Sequence, residues 1–369
     1  MRNGILTAGV VAAMAAAAYG CGGTDTTTGT TGTGGHSDTT ASSTATSTAT
    51  ASATATSGGM TTSTSGTGGA APIVCTPSDG GVLAIDALVF GDVGMNTTAS
   101  QKLGFDIDGL VSTAASTDLC QPANGGDKNK TYPDGSNGID NSFGANVLPL
   151  LLSLAPGFSD SVTSNITDGS FTIMLDFVGL TAAADQPSLV TRLYGGGNLG
   201  MPPAFDGKDC WPVTPELLKD PADIKSSTVV FGTSSIVGNK WSSGVAGTIQ
   251  LTVPAGPGTI TLNIHKAQVT LDLAADHLSA TGGLIGGVLD TDEFVTEVKK
   301  AVYGINPVYC AAIGTVETKI RQASDIINDG SQDKTKTCNG ISIGFGFTMK
   351  PVQLGGVGPK TPPAMGSCQ

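Results

Sequence analysis

Charge is scarce in this chain. Asp, Glu, Lys and Arg make up 13% of its 369 residues, and aromatics only 5%. The 18 basic residues are scattered, with no cluster larger than Lys299-Lys300, and the net charge is -12. Phosphate backbones are bound by clustered Lys and Arg, so this balance argues against a nucleic-acid partner. Histidine is almost missing, at three residues. No CxxC, no P-loop and no HExxH occurs, which removes the familiar zinc and nucleotide patterns. Long apolar runs are missing too. The stretch from Ile5 to Ala18 is too short to span comfortably, and Val147 to Ala155 is interrupted by Pro149 and Ser153.

Small residues take their place. Glycine alone accounts for 53 positions, a composition typical of exported β-rich proteins. Arg2 followed by the short apolar stretch has the form of a secretory signal, so residues 1–20 are expected to be a signal peptide. From Gly22 to Ala71 every residue is Gly, Ser, Thr or Ala except Asp25, His36, Asp38 and Met60. Such a segment cannot bury enough apolar area to offset its ordering entropy. Residues 21–72 are therefore expected to be a disordered linker, with a coil dimension of about 40 Å. A globular domain is expected over 73–369, with a break near 201–225 in the proline-rich MPPAFDGKDCWPVTPELLKDP.

Cys21 stands between signal and linker. A lipoprotein signal needs a cysteine at the cleavage point, and Gly20 and Gly22 flank this one. The usual Leu three positions earlier is replaced by Ala18, and Tyr19 occupies a position where a small residue is expected. The competing expectation is ordinary signal cleavage and a secreted soluble protein. Parity favours the anchor. Of seven cysteines, removal of Cys21 leaves Cys75, Cys120, Cys210, Cys310, Cys338 and Cys368, an even set suited to three disulfides in an oxidising compartment. Cys310–Cys338 is the first expected pairing and Cys120–Cys210 the second. Gly22 rather than Asp follows Cys21, so the expected address is the outer membrane and cell surface, reached through an N-terminal lipid.

Strand periodicity dominates the middle of the chain. In SFTIMLDFV, Phe171, Ile173, Leu175 and Phe177 share a face; GTIQLTV, TITLNI, AQVTLDL and ISIGFGFTM alternate in the same way. One wet face is expected for each. Helices are expected in three places. Asp290 and Glu293 suggest a capping box before a helix closed by Gly304. Asn306-Pro307 opens another, with apolar spacing to Ile327 and an end at Asp329-Gly330. FGANVLPLLLSLAPGF suggests a buried third. The fold class is therefore α+β: a mostly antiparallel sheet, sandwich or curved half-barrel, with a few packed helices.

The catalytic patterns present lack their structural context. Gly340-Ile341-Ser342-Ile343-Gly344 spells GxSxG, but it lies inside an alternating strand rather than at a strand–turn–helix elbow, so Ser342 is expected on the polar face. Gly195 to Gly200 spells GxGxxG, but Met201-Pro202-Pro203 cannot open the required helix. His265 and His277 flank a strand and are expected in turns or at the surface. Trp211 and Trp241 are expected in packing roles.

One polar constellation carries chemistry. FDIDG supplies Asp106 and Asp108, and DGSNGIDNSFG supplies Asp134, Asn137, Asp140 and Asn141 among glycines. Carboxylates and amides on such turns suit a hard cation, Ca²⁺. The competing reading is side-chain to main-chain bonding within turns. The spacing does not match an EF-hand.

FDIDGL, a following cysteine, DGSNGIDNSFG, ASDIINDG, CNGISIGFGF and PVQLG together resemble a pattern in uncharacterised envelope lipoproteins of myxobacteria, over most of residues 75–355. The resemblance implies a location and an architecture, and carries no catalytic residue. Two functional expectations follow: a non-catalytic binding or structural role, and a surface hydrolase with a Ca²⁺-assisted site on Asp106, Asp108, Asp134 and Asp140.

Overall fold

A computed structural model describes residues 75–76, 78–244, 247–255, 258–361 and 366–369. The expected signal peptide, Cys21 and the linker lie outside the described residues. No helix among the described residues is long and apolar enough to cross a membrane.

Ten strands form one mixed sheet. They are β1 (Val82–Val89), β2 (Thr172–Val178), β3 (Gln186–Gly196), β4 (Cys210–Val213), β5 (Val229–Val237), β6 (Lys240–Ser242), β7 (Ile249–Ala255), β8 (Gly258–Leu273), β9 (Ala280–Asp290) and β10 (Gly340–Val357). Five helices accompany them: α1 (Lys128–Thr131), α2 (Leu148–Leu154), α3 (Phe158–Thr167), α4 (Thr291–Ile305) and α5 (Ile313–Gln322). The class is α+β, mostly antiparallel, with three disulfides.

The ladder closes on itself. β1 pairs β2, and the series runs through β3, β5, β6, β8, β9 and β10 back to β1, antiparallel at every step. Closure removes free sheet edges. β7 adds to the first half of β8, and β4 runs parallel to β10. Trp241 fills the inside, with Phe177 and Phe231 edge-on at 5.6 and 5.7 Å between ring centroids. Both tryptophans are fully buried.

The sheet is covered on both sides, which the alternation does not reveal. On β1 and β2, Leu83, Ile85, Leu175 and Phe177 face the main core. Val82, Ala84 and Met174, on the opposite side, join a second cluster with Tyr194, Trp211, Val213 and Leu218. The proline-rich stretch supplies β4, which pairs β10 and β3 within the sheet, and Leu218, which packs in the second cluster. Asp176, expected on a wet face, is buried and held by Arg192 at 3.1 Å and the Ser78 hydroxyl at 2.6 Å.

The helices follow the sequence signals with shifted ends. Asp290 caps α4, accepting the main-chain N–H groups of Asp292 and Glu293 at 2.9 and 3.1 Å. Glu293 turns to Asn263 and His265 instead of completing a capping box. α4 runs through Gly304 to Ile305. After Asn306 comes a 3-10 segment, Pro307–Ala312, and then α5, which stops at Gln322 rather than at Asp329. It stops because the next residues bond to β10: Asp325 N–H donates to Gly340 O at 3.1 Å, and Gly340 N–H to Ile326 O at 2.8 Å. The expected third helix divides. A π-turn Phe143–Val147 leads into α2, and a glycine at φ +81°, Gly157, separates it from α3.

All six described cysteines are paired, but not as expected. The bonds are Cys75–Cys210, Cys120–Cys338 and Cys310–Cys368, with Cα separations of 5.1, 5.2 and 5.2 Å. Gln121 exchanges main-chain bonds with Lys336 and Cys338, so Cys120 and not Cys310 meets Cys338. Cys310 closes instead on the C-terminal tail, where Cys368 N–H bonds Lys299 O. Sequence spacing carries no information about such long-range neighbours.

Candidate functional site: an acidic cluster between two loops

The loops holding the acidic constellation lie side by side. Asp140 N–H donates to Phe105 O at 2.9 Å, forming an isolated antiparallel bridge. Asp140 Oδ2 then accepts the N–H groups of Ile107 at 2.6 Å and Asp108 at 3.3 Å. Asp106 accepts from Gly109 N–H at 2.7 Å, and Asp108 from Leu110 N–H at 2.9 Å. Asp134 accepts from Ser112 N–H and returns its own N–H to Ser112 O. The turn chemistry considered for these residues is therefore real, and it fixes where the carboxylates point.

They converge. Asp106, Asp108 and Asp140 each offer an oxygen, and the three oxygens lie within 4.8 Å of one another. Asp106 is exposed, Asp108 half-buried and Asp140 buried. Gly138 makes the approach feasible. At φ +81° it packs so closely that a Cβ there would lie 2.8 Å from Leu110 O and 3.3 Å from Asp106 Oδ2.

A fifth carboxylate was not anticipated. Asp325 is buried and accepts both the N–H and the hydroxyl of Ser342, at 2.9 and 2.5 Å. Gln332 joins it to the loops, donating to Asp108 Oδ2 at 2.7 Å and Asp325 O at 3.1 Å while accepting from Cys120 N–H at 3.0 Å. The Cys120–Cys338 disulfide holds these segments together. Asp325 is hidden in the sequence because the apolar helical spacing of Ile320, Ala323 and Ile327 continues past it.

The electrostatics follow from burial and like charge. Burial, with the charges of Asp325 and Asp108, pushes Asp140 up to about 9. Burial raises Asp134 to about 6 and Asp325 to about 7, and raises Asp108 as well. Among the described residues no cation side chain bonds to any of these carboxylates.

The remaining candidates fall elsewhere. Asn141 does not offer its amide to this cluster. It donates to the carbonyls of Ser100, Leu103 and Gly344 and accepts from the N–H groups of Gly144 and Gly344. Asn137, at φ 59°, is exposed at the loop tip. Ser342 is wholly buried rather than on a wet face, and Ser142 N–H donates to its hydroxyl at 2.8 Å. A buried hydroxyl so occupied is no nucleophile. His277 sits in a turn at φ 57° but is buried, bonded to Thr181 O and Asn239 Oδ1.

His265 lies between Thr248 and Glu293, at 3.0 Å from each. The hydroxyl–imidazole–carboxylate order resembles a triad. Yet Gln250–Asn263 and Thr252–Thr261 continue the same row of cross-strand contacts at 3.2 and 3.3 Å. The series is a polar ladder on the β7–β8 hairpin.

Beside the acidic cluster lies an open recess of about 300 Å³, lined by Leu110, Val111, Ser112, Thr117, Asp118 and Leu119 among others. No family model matches the chain, and no curated protein or solved structure matches it.

Proposed function

We propose that this chain is an exported envelope protein, anchored through a lipid on Cys21, whose folded domain serves a non-catalytic binding or structural role. Cysteine pairing carries the reading. Three disulfides use every cysteine from Cys75 onward, so Cys21 is the odd residue in the chain. Disulfides persist in oxidising compartments, and a cysteine directly behind a signal-like segment is where acylation occurs. The resemblance to myxobacterial envelope lipoproteins points the same way, toward the outer membrane and cell surface. For the binding role, the recess next to the acidic loops is the surface offered.

Intact-mass analysis of the native protein tests the anchor. A mature chain beginning at Cys21 with added acyl mass is expected, and Cys21→Ser should move the protein from the membrane to the soluble fraction. A mature chain without acyl mass would leave a secreted soluble protein.

The convergence of Asp106, Asp108 and Asp140 favours a second reading, a surface hydrolase with a Ca²⁺-assisted carboxylate site. Against it stands the commitment of these carboxylates to main-chain N–H groups of their own loops. Hydrolysis of ester and glycoside probes that is lost in Asp106→Asn would favour this second reading over the first.

A further inference from the structure

We infer that the end of the closed ladder formed by the 179–185, 237–240 and 274–279 turns lies against a lipid surface of zwitterionic headgroups, with Val237 and Leu278 as its main apolar contacts. The inference rests on the lipid-anchor reading and deepens it by assigning which end of the domain faces the bilayer.

Strand pairing brings the three turns together. Gln186 pairs Ile236, Lys240 pairs Asp272 and Leu273 pairs Ala280, so all three turns lie at one end of the ladder. They are bonded to one another as well. Asn239 N–H donates to Ala184 O at 2.8 Å, and Leu273 N–H to Asn239 O at 2.8 Å. Gly238 N–H donates to Asp185 Oδ1 at 2.7 Å. The buried His277 ring contacts Thr181 O at 2.7 Å and Asn239 Oδ1 at 3.1 Å. What these turns show to solvent is largely apolar. Val237 is 69% exposed and Leu278 59%, and Ala182, Ala183, Ala184 and Ala275 are exposed on the same turns. Grouped exposed apolar side chains mark contact surfaces, whereas single ones do not.

The course of the chain selects the partner. Val82 pairs Asp176, so β1 begins where β2 finishes and the 179–185 turn starts. Phe177 N–H donates to Gly81 O at 2.9 Å, and a Cβ on Gly80 would lie 1.8 Å from Phe177 O and 2.7 Å from Leu180 N. The polypeptide leading back to Cys21 therefore joins the ladder at the base of the apolar turns. The acidic loops belong to the opposite end, where β1 finishes at Val89 and Leu103 packs on Gly344. Charges at the apolar end are few and already occupied. Lys240 pairs Asp272 at 3.6 Å, and Asp185 and Asp276 accept the N–H groups of Gly238 and Leu278. An anionic surface attracts Lys and Arg, and this end carries more carboxylates than cations, so zwitterionic headgroups suit it better.

Interfacial binding scales with the apolar area buried. Two aliphatic side chains and a few alanines make a weak contact in free solution. On an acylated chain the contact becomes intramolecular, at an effective concentration on the order of millimolar, which suffices to orient the domain. The recess and the acidic loops then face away from the bilayer.

The test uses the full mature chain in phosphatidylcholine vesicles whose acyl chains are brominated. Trp211 and Trp241 are fully buried, so a new surface tryptophan reports on lipid contact. Leu278→Trp should be quenched, and Met95→Trp, beyond the far end of β1, should not. The chain carrying Cys21→Ser should float weakly with the same vesicles, and adding Val237→Asp with Leu278→Asp should lower that binding by about tenfold or more. With acyl mass present on Cys21, an unquenched Leu278→Trp, or equal quenching of Met95→Trp, overturns the inference and leaves the anchor standing. Without acyl mass the anchor reading fails, and flotation of the unacylated chain decides the lipid contact: its loss in the double Asp variant supports the inference, and no flotation of the parent overturns it. A dimer in lipid-free buffer that the double variant dissolves assigns this surface to a second copy, which also overturns the inference.

Discussion

Ser342 gives both its N–H and its hydroxyl to the two oxygens of Asp325, across 17 residues of chain and wholly inside the protein. The same hydroxyl accepts from Ser142 N–H. One serine thus joins β10, the segment after α5 and the start of the π-turn. This is the structural use of the serine in GxSxG.

Ser342→Ala removes one partner of Asp325 and leaves Ser142 N–H unpaired. Truncating a buried bond to a carboxylate costs about 2–3 kcal/mol. Urea unfolding should show a loss of that size, with the slope unchanged. A loss below about 0.5 kcal/mol would contradict the role assigned to the hydroxyl.

The glycine after it has an equally physical task. A Cβ on Gly344 would lie 2.4 Å from Leu103 O and 2.5 Å from Gly104 Cα, both main-chain atoms that cannot swing aside. Gly344→Ala should destabilise the domain by about 1–3 kcal/mol, the range for overpacking a core. Thermal melting reads it directly. Gly314→Ala on α5, with open space at its Cβ position, is the control expected to be neutral or stabilising.

Stability of the metal-free domain should depend on pH with an uncommon sign. Asp134 and Asp325 are raised to about 6 and about 7, and Asp140 to about 9. A carboxyl whose pKa is higher in the folded state binds its proton more tightly there. Its contribution is full at low pH and is lost as pH rises through the folded value. In EGTA, Tm should therefore fall from pH 5 to pH 9. A Tm rising over that range would refute the cluster's electrostatics.

Non-reducing peptide mapping should recover Cys75–Cys210, Cys120–Cys338 and Cys310–Cys368, with no free thiol between residues 75 and 369. Replacing Cys310 and Cys368 together by Ala should cost about 2–4 kcal/mol, read from urea midpoints. Recovery of Cys310–Cys338 would contradict the fold around β10.

Much of the local structure was written in the sequence. Alternation in SFTIMLDFV, TITLNI and ISIGFGFTM marked β2, β8 and β10, because a strand that buries one face repeats every two residues. Asp290 and Asn306-Pro307 marked helix starts, because capping is a contact between near neighbours. The acidic turns at Asp106–Asp108 and Asp134–Asp140 were visible for the same reason. Asp325 and Gln332 were not, since their meaning depends on partners tens to hundreds of residues away.

The amino-acid sequence by itself determined the α+β class, the strand periods, the parity of the cysteines and the residue types that could hold a hard cation. These properties are local or additive along the chain. Tertiary structure alone decided that the ladder closes through the β1–β10 and β3–β5 pairings, that both faces of β1 and β2 are covered, and which cysteines meet. It also decided that Asp106, Asp108 and Asp140 share one small volume while Asn141 belongs to the packing of β10. Each of these is a long-range contact, selected by the summed burial of a whole core and fixed by no short segment.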